Sequence, residues 1–248
     1  MKIYTVVQQK GGTGKTTLAA DLVAALVHEG QRVLAIDCDS QRNFGQRLGL
    51  ISAQNPPQTV LAYTAGVATA AELAVPSPAV PGADVIRGNV SVQELPPEET
   101  TQLRDLLPAE TAWDACVIDT PGALGYITLA ACAAADVIAI PVETKGEALD
   151  GVDETNDFIV GKVANLRRGR RPQRVWYVPT RMGRNNLGSE VVEQLRERFP
   201  GQVTAPIRES VRVADAYNSL LPGSVFSPRS NGSRDLQVVC KTLITGKE

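Results

Sequence analysis

Ile3 to Val7 is a short β-prone run, and from Thr16 to Glu29 apolar residues return at helical spacing as Leu18, Leu22 and Leu26 before the pattern stops at Gly30. Between the two lies Lys10-Gly11-Gly12-Thr13-Gly14-Lys15-Thr16-Thr17. A strand that passes through three glycines into a helix has few ways to fold. The glycines let successive backbone N–H groups turn inward, and the helix N-terminus adds the positive end of its dipole, so the loop can cradle phosphate oxygens. Lys15 is then placed to reach the β- and γ-phosphates of a nucleotide, and Thr16 to offer its hydroxyl to Mg2+. The competing reading is a glycine-rich turn that merely reverses the chain; GKTT between a strand and an amphipathic helix argues against it. Val33 to Ile36 follows as a fully apolar run and closes a βαβ unit.

The same alternation continues. Ala115 to Ile118, Val137 to Pro141 and Val175 to Val178 read as buried strands, and helical spacing returns at Tyr126 to Ala135, near Ala148 to Leu166, at Ser189 to Phe199 and from about Arg234 to Ile244. This implies an α/β fold: an open, doubly wound, mostly parallel sheet with helices on both faces. Ile51 to Asp84, low in charge and rich in Ala, Pro, Val and Thr, and Glu94 to Asp114, acidic and proline-broken, read as peripheral. With 248 residues, no internal repeat and no long linker, one domain over 1–248 is expected.

Composition narrows the function. Aromatic residues are only 4% of the chain, so the core is expected to be Ala, Val, Leu and Ile, as suits helices packed on a parallel sheet. Lys and Arg number 25 against 27 Asp and Glu, which excludes a generally basic, histone-like protein and restricts any nucleic-acid contact to a local patch. One candidate patch is 158–189, with eight basic side chains (Lys162, Arg167, Arg168, Arg170, Arg171, Arg174, Arg181, Arg184) and no acid. It reads either as a solvated helix end or as a surface for phosphate backbones. Cys38, Cys116, Cys132 and Cys240 form no CxxC pair and read as buried thiols in a reducing cytosol. MKIYTVVQQK lacks the apolar run of a signal peptide or membrane anchor, so a cytoplasmic protein is expected. His28 is the only histidine, which leaves no His-based triad or metal cluster, and it is expected on the solvated surface of its helix. Trp113 and Trp176 are expected to pack at strand edges.

Two acidic motifs accompany the loop. Asp37 and Asp39, two positions apart at the tip of the second strand, point to one side and can both face a nucleotide; taken alone, they read equally well as capping aspartates. Asp119 ends the apolar strand Cys116-Val117-Ile118, where a carboxylate beside the phosphate loop can hold Mg2+ through water.

KGGTGKTT, with Lys10 after Gln9 where glycine is usual, resembles the deviant Walker A loop of the ParA/MinD family of P-loop ATPases. The rest of the chain resembles the ParA (Soj-like) DNA-partition members, and the P-loop NTPase fold is implied with it. Ala35-Ile36-Asp37-Cys38-Asp39-Ser40-Gln41 resembles the family's DxDPQ segment with serine in place of proline, and Thr120 to Leu124 its second switch, with Gly122 where a second proline is common. The resemblance implies ATP and Mg2+ as cofactors, bound by Lys10, Gly11, Gly12, Thr13, Gly14, Lys15, Thr16 and Thr17. Pro206 to Arg208 and Thr180 to Met182 would flank the adenine. Lys10, Lys15 and Asp39 would be catalytic: Lys10 would reach across an ATP-dependent homodimer to the partner's nucleotide, and Asp39 would orient the attacking water. Asp37 would join Thr16 and Asp119 at the metal, and Gln41 to Phe44 would form a switch. Arg184 in RMGRNNLG and Arg212 in RESVRVADA would touch non-specific DNA, and a ParB-type, centromere-binding partner would stimulate hydrolysis and release.

Other functions fit less well. A MinD-like membrane ATPase requires a C-terminal amphipathic helix with bulky apolar residues, whereas Leu236 to Glu248 has no aromatic residue and two lysines, so no membrane partner is expected. An iron–sulfur reductase requires presented cysteines, and Cys116 and Cys132 are expected inside a strand and a helix. A purely DNA-bound regulator would not need Asp39 and Asp119, and with nine residues before Lys10 no helix-turn-helix is expected ahead of the phosphate loop.

Overall fold

The computed structural model describes residues 1–51, 59–92, 95–145, 149–167, 173–183 and 186–247. The elements in chain order are β1 (Lys2–Val6), α1 (Lys15–His28), β2 (Val33–Asp37), α2 (Asn43–Arg47), α3 (Val60–Thr64), α4 (Ala70–Leu73), β3 (Val75–Pro76), β4 (Ala83–Ile86) and α5 (Gln102–Leu106). After them come β5 (Ala115–Asp119), α6 (Tyr126–Ala134), β6 (Val137–Glu143), α7 (Asp150–Phe158), α8 (Ala164–Leu166), β7 (Arg174–Thr180) and α9 (Asn186–Arg198). α10 (Val211–Asn218), α11 (Gly223–Phe226) and α12 (Asn231–Thr245) end the chain. A π-helical turn, Ile159–Val163, joins α7 to α8, so the helical stretch expected to Leu166 carries a bulge.

The strands form one seven-stranded sheet in the order β3-β4-β2-β5-β1-β6-β7. The described pairings are parallel except β3 on β4. Alternation along each strand sends neighbours to opposite faces. Tyr4, Val6, Val33, Ala35, Val117 and Val178 pack with Leu18, Leu22 and Leu26 of α1 and with Leu236, Val239 and Leu243 of α12. On the opposite face Ile3, Leu34, Ile36, Ile86, Cys116 and Ile118 pack against α3 to α6, while Ile138, Ile140 and Val142 meet α7 and α9. Each of these fully buried Leu and Ile side chains contributes roughly 1.5–3 kcal/mol relative to exposure.

The reading of Ile51 to Asp84 as peripheral is corrected by the sheet. β4 pairs with β2 from Val33↔Ala83 to Ile36↔Ile86, and Val60, Tyr63 and Leu73 are buried in the core. The Asp84 carboxylate that breaks the apolar pattern of β4 accepts a 2.8 Å hydrogen bond from Trp113 Nε1. In the acidic stretch, Leu103 and Leu107 are also core residues. His28 is exposed, and Trp176 lies within β7 at the sheet edge. The four cysteines are free and buried, and burial pushes the Cys132 thiol up to about 12.

Outside β7 runs the irregular segment 202–208. Tyr177 N–H donates to the Gln202 carbonyl (2.8 Å), Thr204 N–H to the Tyr177 carbonyl (3.0 Å) and Ile207 N–H to the Pro179 carbonyl (2.8 Å).

Candidate nucleotide site

The register of the sheet sets the site. Val6, at the end of β1, lies opposite Asp119, and Asp119 lies opposite Asp37, so the ends of β1, β5 and β2 open at one level under the glycine loop. The Thr120 hydroxyl donates to the Val6 carbonyl at 2.8 Å and Cys38 N–H to the Asp119 carbonyl at 2.9 Å, locking these strand tips together.

Gly12 and Gly14 adopt φ of 75° and 95°, which only glycine takes without strain. A Cβ at Gly11, Gly12 or Gly14 would meet no atom within 4 Å, so the loop borders open space. α1 starts at Lys15 with Gly14 as its N-cap and no side-chain cap, which leaves the first-turn N–H groups for an anion. Lys15 is 9% exposed and its Nζ lies 3.3 Å from the Lys10 carbonyl. Burial lowers its pKa, and the nearby carboxylates of Asp119 and Asp39 act the other way. Lys10 is exposed.

Thr16 Oγ1 donates a 2.7 Å hydrogen bond to Asp119 Oδ2. The other oxygen, Asp119 Oδ1, is buried without a partner. Burial first, and then the charges of Asp37 and Asp39, raise the Asp119 pKa well above the carboxylate range. An orphaned carboxylate oxygen beside a threonine hydroxyl, under a cradle for phosphates, is the donor set that suits Mg2+, which takes few protein ligands and keeps waters and phosphate oxygens. Among the described residues, no cluster of three or more His, Cys, Asp or Glu forms an all-protein metal cage.

Asp37 is fully buried and spends both oxygens on the backbone: Oδ1 accepts Asp39 N–H and Oδ2 accepts Gly45 N–H, each at 3.0 Å. Burial pushes its pKa up to about 7 despite these bonds. Its visible work is to shape the turn that carries Asp39. Asp39 Oδ1 accepts Gln41 N–H at 3.0 Å. Gly88 backs the same turn; a Cβ there would lie 2.7 Å from the Asp39 carbonyl oxygen.

Thr180, at the end of β7, donates from Oγ1 to the Thr13 carbonyl at 2.8 Å and so ties the phosphate loop to that strand end. Pro206 lines a cleft of about 1000 Å3 with Met182, Arg208, Arg212 and Asp235. Arg208 and Asp235 form a two-pronged ion pair across it, both bonds 2.8 Å. Arg212, in the first turn of α10, is exposed, lies 3.4 Å from Asp215 and shares this cleft with Pro206. Arg184, Arg168, Arg170 and Arg171 lie outside the described residues. Arg167 does not belong to a solvated strip: it is 7% exposed and its Nη1 donates to the Ala133 carbonyl at 2.6 Å.

Several site neighbours carry no motif. Arg47 is 1% exposed and donates from Nη1 to Thr17 Oγ1 (3.3 Å). It lies 5.2 Å from the Tyr217 ring centroid, while its Nε and Nη2 have no partner. Asp21, one turn after Thr17, accepts Gly223 N–H (3.0 Å) and Ser224 N–H (2.7 Å), fastening α11 to α1. Arg47, Asp21 and Gly88 gain meaning only from contacts distant in sequence, whereas Thr180 lies in the stretch Thr180 to Met182 that the resemblance placed beside the adenine.

The family described as an AAA domain (AAA_31) matches residues 1–167. The sporulation initiation inhibitor protein Soj of Bacillus subtilis is 30% identical over 240 residues, covering 94% of each chain. The chromosome partitioning protein ParA of Myxococcus xanthus is 31% identical over 259 residues, covering 98% of this chain and 88% of that one. In fold, the chain superposes on the ATP complex of a Cyanothece McdA variant with a TM-score of 0.82 at 22% identity, over 100% of this chain and 97% of that one. Loop, strand tips and chain-wide likeness agree, and the protein belongs to the ParA/Soj family of partition ATPases.

Proposed function

We propose that this single-domain ATPase is a DNA-partition switch: ATP·Mg2+ closes a homodimer, the dimer binds DNA without reading sequence, and hydrolysis stimulated by a ParB-type partner releases it. The observation that carries the nucleotide half of this reading is the Thr16–Asp119 pair, with its orphaned Oδ1, beneath the open glycine cradle. A magnesium ion held there would offset phosphate charge. Gly11 to Thr17 present backbone N–H groups, Lys15 supplies a cation from within the chain, and Lys10, exposed at the loop's start, supplies one to a facing copy. Asp39 holds the attacking water, and Asp37 keeps the Asp39 turn in place. Pro206 flanks the base. Arg184 and Arg212 meet DNA phosphates.

The α12 helix counts against a membrane as the target. Its apolar residues Leu236, Val239, Cys240 and Leu243 are buried in the core, and no helix among the described residues is long and apolar enough to cross a bilayer. A nucleoid-associated, cytoplasmic protein with reduced cysteines is consistent with this.

The test is binding to a random-sequence duplex with ATP·Mg2+, with ADP and without nucleotide, over a salt series, beside a liposome control. ATP-specific, salt-sensitive DNA binding is expected, its slope counting the phosphate contacts. Liposome binding without DNA binding would replace this reading with a membrane ATPase.

A further inference from the structure

Beneath Lys10 lies a buried polar pair that belongs to no motif. Gln8 is 1% exposed and Thr155, on α7, is 0% exposed. Thr155 Oγ1 lies 2.8 Å from Gln8 Oε1 and 2.7 Å from the Gly151 carbonyl, so one hydroxyl proton faces two acceptors. The same Gln8 oxygen accepts Gln9 N–H at 2.8 Å and lies 3.5 Å from Lys10 N. Gln8 Nε2 donates to the Pro141 carbonyl at 3.3 Å, so both ends of the amide are accounted for.

On the other side of the residue, the Lys10 carbonyl lies 3.3 Å from Lys15 Nζ and 3.4 Å from Thr13 Oγ1. The backbone of Lys10 is thus held on its N–H side through α7 and on its C=O side through the loop itself. α7 comes close: a Cβ at Gly151 would lie 3.4 Å from Gln8 Oε1 and 3.5 Å from Lys10 Cβ. A long, flexible lysine acts well across an interface only if the backbone from which it departs is already fixed, because otherwise ordering it cancels much of what the contact gains.

We infer that Gln8 and Thr155 are positioning residues for Lys10, fixing the peptide ahead of the phosphate loop so that the lysine projects toward a second copy of this chain. The inference rests on the reading of Lys10 as the residue that crosses the dimer.

The experiment measures dimerisation by sedimentation in a non-hydrolysable ATP analogue with Mg2+, ADP affinity by calorimetry, and thermal unfolding. Thr155→Val, Thr155→Ser and Gln8→Met are compared, each alone and combined with Lys10→Ala. Thr155→Val and Gln8→Met are expected to raise the dimer dissociation constant about tenfold, the size of one lost hydrogen bond, while ADP affinity stays within about twofold. Thr155→Ser restores dimerisation, and in the Lys10→Ala background neither variant weakens it further. Equal losses with and without Lys10, a parallel loss of ADP affinity, unchanged dimerisation, or failure of both variants to fold would each overturn the inference. Lys10→Ala alone dimerising like the parent protein would instead overturn the reading of Lys10 itself.

Discussion

Thr16 and Asp119 stand 103 positions apart in the chain and meet through a 2.7 Å hydrogen bond from Oγ1 to Oδ2, leaving Asp119 Oδ1 buried and unpartnered. Asp119→Asn puts an amide where the metal's water shell requires an acceptor, and Thr16→Ala removes the hydroxyl. Either change is expected to lower Mg2+-dependent ATP turnover about 10–100-fold and to raise the Mg2+ concentration needed for half-maximal rate. A phosphate-release assay over a Mg2+ titration reads this; an unchanged midpoint would remove both residues from the metal site.

Asp39→Ala should slow turnover by about 100-fold or more while ATP-dependent dimers persist. Its turn is shaped by Asp37 and by the close backing of Gly88, so the fold has no need of the Asp39 carboxylate beyond one bond to Gln41 N–H. Single-turnover hydrolysis beside size-exclusion chromatography separates the two effects. Normal hydrolysis would end the role assigned to Asp39.

Arg212→Glu is expected to spare dimerisation, weaken binding to random DNA and reduce the salt slope by about 1 or more. Because Arg212 lines the same cleft as Pro206, ATP affinity is measured in parallel. Weakened ATP binding with unchanged DNA binding would assign Arg212 to the nucleotide. Arg184→Glu should give the DNA effect alone.

Asp21→Ala strips two backbone N–H groups of their acceptor where α11 meets α1. A loss of about 2 kcal/mol is expected from denaturant unfolding, with nucleotide affinity little changed. A loss below about 0.5 kcal/mol would mean that water reaches these groups.

Arg47→Met should leave stability unchanged or raise it by about 1 kcal/mol, because it replaces a buried cation with two unpartnered donors by an apolar side chain of similar length. Chemical denaturation measures it. A marked loss would show that the Thr17 bond and the Tyr217 ring outweigh the buried charge.

The phosphate loop, the strands around it and the acids at their tips were legible because parallel strands covered on both faces must be continuous apolar runs, and an acid ending such a run stands out. β4 was not legible: it is four residues long and carries Asp84, whose partner Trp113 is distant in sequence. Arg167 was misplaced because a run of arginines looks the same whether a guanidinium faces water or, as here, meets the Ala133 carbonyl of α6. Gln8 escaped notice for a related reason. Its partner Thr155 lies 147 positions away, and neither residue type stands out within its own segment.

The two margins of the sheet bear on how copies of this protein can gather. At one margin β3 is only two residues long and ends in Pro76, which has no N–H to offer a newcomer. At the other, the outward N–H and C=O of Tyr177 and the carbonyl of Pro179 in β7 are engaged by 202–208. Strand-by-strand pairing between molecules is therefore hindered at both margins.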